Sequence, residues 1–102
     1  MVELVRERME EISALCERCN VAELFLFGSG ANERFDPVTS DLDFAVLFKP
    51  MDFREHGKSY FALLFGLEDL LGKPVDLVTL DSIRNPHILE SVEAERQLLY
   101  AA

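Results

Sequence analysis

The residues that could carry chemistry are concentrated in the stretch from Leu24 to Phe48. Two apolar runs, Leu24–Phe27 and Leu42–Phe48, flank a loop rich in Gly, Asp, Pro, Thr and Ser. Gly28 and Ser29 directly follow the first run. A strand that ends in Gly-Ser and leads into a helical turn leaves backbone N–H groups directed outward, where an anion can bind. Gly28 and Ser29 are therefore the candidate nucleotide- and phosphate-binding residues.

Three carboxylates are the candidate catalytic and metal-binding residues. Asp41 and Asp43 are two residues apart on a predicted strand, so both side chains project from the same face. Asp76 lies in a third strand-like run, Val75–Leu80, where a carboxylate without a partner is costly. If the second and third strands are neighbours, the three carboxylates converge. Together they could hold two Mg²⁺ ions, or Mn²⁺, about 3.5–4 Å apart and clamp the phosphates of a nucleotide.

Each of these residues also has a plainer interpretation. Ser-Asp pairs commonly cap loops, which would explain Asp41 but not Asp43. Asp76 could be an edge-strand residue that faces water. Gly28-Ser29 alone could be an ordinary strand-to-helix turn, and its proximity to the paired carboxylates is what makes it informative.

The spacing of apolar residues predicts the elements that must position these groups. Helices are expected where apolar residues recur every three or four positions, and strands where short apolar runs end in turn residues. In chain order the predicted elements are helix 2–19, strand 24–27, a helical turn at 31–35, strand 40–48, helix 53–71, strand 75–80 and a helix from residue 85 onward. The prediction is one α+β domain over residues 1–102, a small mixed β-sheet covered by helices in the order α-β-(α)-β-α-β-α.

Composition narrows the classes of partner. The chain of 102 residues has a net charge of −9, which argues against binding naked nucleic acid, because phosphate neutralisation needs a basic surface. A nucleoside triphosphate could still bind if metal ions cancelled the local carboxylates, and a basic protein partner would suit this charge. No apolar run approaches the roughly 20 residues that span a bilayer, and no signal peptide is evident, so we expect a cytoplasmic protein.

The two cysteines form the pair Cys16-x-x-Cys19 near the end of the first predicted helix. A redox pair would be expected to open a helix after a strand, and a zinc site would need two further ligands. We therefore interpret both cysteines as residues of helix packing.

Gly28-Ser29, followed by a spacer and Asp41-x-Asp43, resembles the signature of the polymerase-beta-type nucleotidyltransferases. The small size is similar to that of their minimal branch, the MNT antitoxins of HEPN/MNT toxin–antitoxin pairs. The resemblance extends to Asp76 and covers nearly the whole chain. It implies the nucleotidyltransferase fold and transfer of a nucleoside monophosphate, AMP from ATP, to a tyrosine of a HEPN-type helical toxin.

The resemblance also implies roles for the site residues. Ser29 and nearby backbone amides would hold the outer phosphates, and Asp41 and Asp43 would bind both metal ions. Asp76 would bind the metal nearest the acceptor and help to deprotonate its hydroxyl.

Two other functions remain open from the sequence. Asn32 and Glu33 stand where arginine and glycine are common in the family, which favours an antitoxin that acts as a binding module with little or no catalysis. An Asp-x-Asp motif also occurs in glycosyltransferases that bind nucleotide sugars, although those enzymes normally need a larger donor domain. The wide apolar stripe of the predicted helix 53–71 suggests a protein partner or a homo-oligomer.

Overall fold

The structure, a computed structural model, describes residues 3–27, 42–80 and 96–102. Within these ranges three helices and four strands occur, and the strands pair both parallel and antiparallel, which confirms the α+β class with a mixed sheet. In chain order the elements are α1 (Glu3–Arg6), α2 (Met9–Arg18), β1 (Val21–Phe27), β2 (Leu42–Phe48), α3 (Phe53–Leu71), β3 (Val75–Thr79) and β4 (Gln97–Ala101).

The four strands form one sheet in the order β3-β2-β1-β4. β1 is antiparallel to both of its neighbours, whereas β2 and β3 are parallel. Two parallel strands cannot be joined by a tight hairpin and need a long crossover connection, which here contains α3. The two strands predicted to carry the carboxylates are therefore neighbours.

The first predicted helix is divided in two, because residues 7 and 8 form a turn between α1 and α2. The predicted helix end at residue 19 is confirmed to within one residue, because α2 ends at Arg18. Asn20 has a φ of 59°, the left-handed conformation that commonly follows a helix and that Asn tolerates well. The chain reverses there, and β1 begins at Val21, three residues before the predicted start at residue 24.

The prediction for the end of the chain is wrong. Leu98, Leu99 and Tyr100 were expected in a last helix, but they belong to β4, which pairs antiparallel with β1. An apolar run of three residues does not by itself distinguish a helix from a strand. Here the run forms a strand because it pairs with the edge of β1 that β2 does not occupy. The predicted turn at 31–35 and the helix start at 85 lie outside the described residues.

The main core lies between the helices and one face of the sheet. Its fully buried members include Ile12 of α2, Leu63 and Leu67 of α3, and Leu24 and Phe44 of the sheet. A second, smaller apolar cluster covers part of the opposite face. No helix in the described ranges is long and apolar enough to cross a membrane.

Helix α3 has the predicted limits because both of its ends are closed by local interactions. The Asp52 carboxylate accepts a hydrogen bond of 2.8 Å from the Glu55 N–H, as an N-cap residue does. Gly72 ends the helix with a φ of 65°, a conformation that glycine adopts without steric cost.

Two glycines inside α3 have opposite surroundings. A Cβ on Gly66 would lie 2.7 Å from both methyl carbons of Leu15, so α2 and α3 approach closely at this point. A Cβ on Gly57 would meet no atom within 4 Å. Only the first of these glycines is required by helix packing.

We expect Gly57→Ala to raise the free energy of unfolding by about 0.5–1 kcal/mol, since alanine is the better helix former. Gly66→Ala gains the same helix propensity but forces Leu15 aside, at a cost of about 1–3 kcal/mol, so its net effect should be destabilising. Urea unfolding of the two variants beside the wild type measures both values. Equal stabilisation by both substitutions would show that the close contact with Leu15 does not constrain the fold.

Candidate functional site

The structure brings two of the predicted carboxylates together. Asp43 and Asp76 are direct register partners in the parallel pair formed by β2 and β3. Neighbouring strands lie about 4.8 Å apart, and register partners project from the same face of a sheet. Asp43 is half-buried and Asp76 is exposed, so the pair is open to solvent at one side.

The carboxylate pair lies on the sheet face opposite the helices. Leu42, Phe44 and Leu77, which flank the two aspartates in sequence, all point into the helix-covered core. Side chains alternate between faces along a strand, so Asp43 and Asp76 project to the other side. The helices that the structure describes therefore lie on the other side of the sheet from the carboxylate pair.

The pair is at the end of the sheet where the predicted phosphate-binding residues leave β1. Phe27, the last residue before Gly28, is the register partner of Asp43. Leu42, the residue after Asp41, is the register partner of Val75. Asp41, Gly28 and Ser29 themselves lie outside the described residues, and their roles stay predictions.

The donor set of this pair fits a divalent cation. Two like charges on adjacent strands disfavour each other unless a cation or another partner lies nearby, and carboxylate oxygens are the ligands that Mg²⁺ and Mn²⁺ prefer. Within the described ranges no group of three potential metal ligands occurs. The pair would hold a cation together with further ligands, for which Asp41 is the predicted source.

The plainer interpretation of Asp76 predicted part of what is seen. β3 lies at the edge of the four described strands, and Asp76 is exposed, as a water-facing residue would be. That interpretation does not require Asp76 to stand beside another carboxylate. The register with Asp43 is the observation that favours a site.

Sequence reasoning missed Arg96, whose guanidinium carbon lies 4.6 Å from the centre of the Phe25 ring. Phe25 and Ala45 form the small cluster on the same face as the carboxylate pair, with Phe27 packed against it. An exposed cation is thereby placed on the face that carries Asp43. No motif in the sequence indicates Arg96, because its position depends on the pairing of β4 with β1.

The cysteine pair has the packing role expected from the sequence. Cys16 and Cys19 are buried free thiols in and directly after α2. Burial, together with a smaller effect of the neighbouring Cys19, raises the pKa of Cys16 to about 12. Burial also raises the pKa of Cys19, so neither thiol has the low pKa of a reactive cysteine.

The comparison with known proteins identifies the family. Residues 6–99 match the family described as "Nucleotidyltransferase domain". The chain belongs to the nucleotidyltransferase family. It is 35% identical over 81 residues to "Putative protein adenylyltransferase MJ1379" of Methanocaldococcus jannaschii, and the match covers 79% of each chain.

Solved structures of similar proteins agree with this assignment. The structure of a "putative minimal nucleotidyltransferase" has 32% identity and a TM-score of 0.72, and the match covers 93% of this chain and 92% of that one. A chain of the MntA–HpeT toxin–antitoxin, in a mutant form, has 25% identity and a TM-score of 0.64, over 91% of this chain and 71% of that one. The resemblance to minimal nucleotidyltransferases is confirmed, and the glycosyltransferase alternative is excluded.

The site predicts that MgCl₂ stabilises the protein through Asp43 and Asp76. At a tenfold excess over the Kd, a cation that binds the folded state adds roughly 1.4 kcal/mol, or about 4 °C or more in Tm. Asp43→Asn and Asp76→Asn should each remove this shift in thermal unfolding, measured against NaCl of equal ionic strength.

The matched control is Glu10→Gln, which removes one exposed negative charge on α2, away from the site. It should keep the full shift. If Asp76→Asn also keeps the full shift, then Asp76 is the water-facing edge residue of the plainer interpretation.

Proposed function

We propose that this nucleotidyltransferase transfers AMP from ATP to a hydroxyl of a protein partner, most simply a tyrosine of a HEPN-type helical toxin. The pairing of Asp43 with Asp76 on the sheet face opposite the described helices is the observation that carries the proposal. The adenylyltransferase name of the M. jannaschii relative and the toxin–antitoxin neighbour support this choice of substrate and partner.

The chemistry follows from what the carboxylates can bind. With Asp41, they would hold two Mg²⁺ ions, or Mn²⁺, which supply positive charge to the phosphate oxygens when bound. The acceptor oxygen attacks the α-phosphorus of ATP, and the bond from that phosphorus to the bridging oxygen breaks as pyrophosphate leaves. Asp76, the more exposed of the described pair, would accept the proton of the hydroxyl. Ser29 and the amides near Gly28 would hold the outer phosphates.

A second candidate function is neutralisation of the toxin by contact alone. Asn32 and Glu33, in place of the arginine and glycine common in the family, favour it. In this case the carboxylate pair would persist without supporting turnover. The two functions predict the same partner and differ in whether the partner becomes modified.

The surface we propose for the partner is the pair of rings formed by Phe61 and Phe65 on α3. Their side chains are 54% and 58% exposed, and the rings stack with centres 5.9 Å apart. Large apolar side chains that are exposed together commonly mark a protein interface, and aromatic residues are enriched in interface cores. The net charge of −9 favours a partner with a basic surface.

Catalysis is tested by replacing Asp41 and Asp43 with asparagine. The double variant keeps the shape of the side chains and removes two charges, so AMP transfer should fall about 100-fold or more. The assay is mass spectrometry of the partner that co-purifies from the host, after incubation with ATP and MgCl₂. Glu7→Gln/Glu10→Gln removes the same number of exposed charges, one just before α2 and one within it, and should keep wild-type activity.

Two outcomes separate the candidate functions. Loss of transfer in the aspartate variant alone supports the enzyme. A wild-type protein that adds no AMP, and that neutralises the partner as well as the double variant does, identifies the binding module instead.

The partner surface is tested with Phe61→Ala/Phe65→Ala. An aromatic pair at the centre of an interface is worth about 2 kcal/mol or more, so partner affinity should fall about 30-fold or more. Phe53→Ala is the control, because Phe53 is 96% exposed at the start of the same helix and outside the ring stack. Binding is measured by calorimetry. Equal affinities of both variants would place the partner elsewhere.

A further inference from the structure

Two side chains of α3 are hydrogen-bonded to the backbone of β3 on either side of Asp76. The Tyr60 hydroxyl donates to the Leu77 carbonyl oxygen at 2.6 Å. The Glu68 carboxylate accepts from the Val75 N–H at 3.1 Å. Val75 and Leu77 are the residues directly before and after Asp76, so α3 clamps the short segment that presents this carboxylate.

These two bonds occupy the outer edge of the sheet. Among the strands that the structure describes, β3 is paired with β2 and with no other. The Leu42 N–H of β2 is directed to the Pro74 carbonyl oxygen at 3.5 Å, and backbone groups alternate in direction along a strand. The backbone groups of Val75 and Leu77 therefore point away from β2, where an edge strand would otherwise present them to water or to another chain.

Neither side chain is explained by packing alone. Tyr60 packs against the main core, where phenylalanine would fill the same space, so its hydroxyl is accounted for by the bond to β3. Glu68 is half-buried, and withdrawing a carboxylate from water is costly without a hydrogen bond. Both groups are two turns apart on a helix that connects the strand of Asp43 to the strand of Asp76.

We propose that Tyr60 and Glu68 are positioning residues that hold Asp76 at a fixed distance from Asp43. This inference rests on the proposed function of the carboxylate pair. The ladder to β2 sets which residue stands opposite Asp43, and the two bonds from α3 limit how far the edge strand can move away. Residues that orient a metal ligand without touching the metal typically change affinity or activity 10–100-fold when they are replaced.

The test compares Tyr60→Phe and Glu68→Leu with the wild type in a MgCl₂ titration. Each variant should need about 10-fold more MgCl₂ for half-maximal thermal stabilisation. The rate of AMP transfer at 1 mM MgCl₂ should fall by a similar factor and recover when MgCl₂ is raised. Activity is measured at a temperature where circular dichroism shows every variant fully folded, so that lost stability alone does not lower the rate.

Three controls make the result specific. Glu68→Gln retains an oxygen that can accept the Val75 N–H bond and should restore the wild-type MgCl₂ requirement. Tyr100→Phe removes a hydroxyl from β4, at the other edge of the sheet, and should change nothing. Amide hydrogen exchange at Val75, measured without metal, should accelerate in Glu68→Leu. This measurement reports directly on the hydrogen bond between the Val75 N–H and the Glu68 carboxylate.

The outcomes separate this inference from the proposed function. If Asp76→Asn loses the MgCl₂ response while Tyr60→Phe and Glu68→Leu keep the wild-type requirement, the metal site stands and the positioning role is wrong. If Asp76→Asn keeps the wild-type response as well, the metal site is wrong and the positioning role falls with it.

Discussion

The parallel pairing of β2 with β3 is the constraint on which the site depends. A parallel register is not set by a hairpin, so the connection through α3 and the apolar contacts of both strands must set it. In this register Asp43 stands directly opposite Asp76. A slip of one residue would turn Asp76 into the helix-covered core and Leu77 out of it, which ties the geometry of the carboxylates to the packing of the fold.

Helix α3 both completes the hydrophobic core and contacts the strand that carries Asp76. Its buried side, with Leu63, Leu67 and Leu71, closes the main core against the sheet. Tyr60 and Glu68 reach the outer edge of β3, while Phe61 and Phe65 are left on the solvent side. A binding event at the exposed rings would act on the helix that also holds the strand of Asp76. The proposed partner surface and the carboxylate pair are thus connected through α3.

The acidity of the chain has a physical consequence for its substrate. At a net charge of −9, an unshielded polyphosphate is repelled, so the proposed nucleotide binding would need cations at the carboxylate pair and local donors. Arg96 places one such cation on the face that carries the pair. The proposed substrate is accordingly a small metal-bound nucleotide, because a long nucleic acid would need a broad basic surface.

The sequence by itself determined the local elements and the residue types of the site. The limits of α3 follow from Asp52 and Gly72, and the alternating pattern around Asp43 and Asp76 already indicates strands, because caps and periodicity act within a few residues. The tertiary structure alone decided that β4 is a strand, that Arg96 lies over Phe25, and that Tyr60 and Glu68 bind β3. These are contacts between distant parts of the chain. They depend on which strand edges are left unpaired once the sheet assembles, and no short stretch of sequence encodes that.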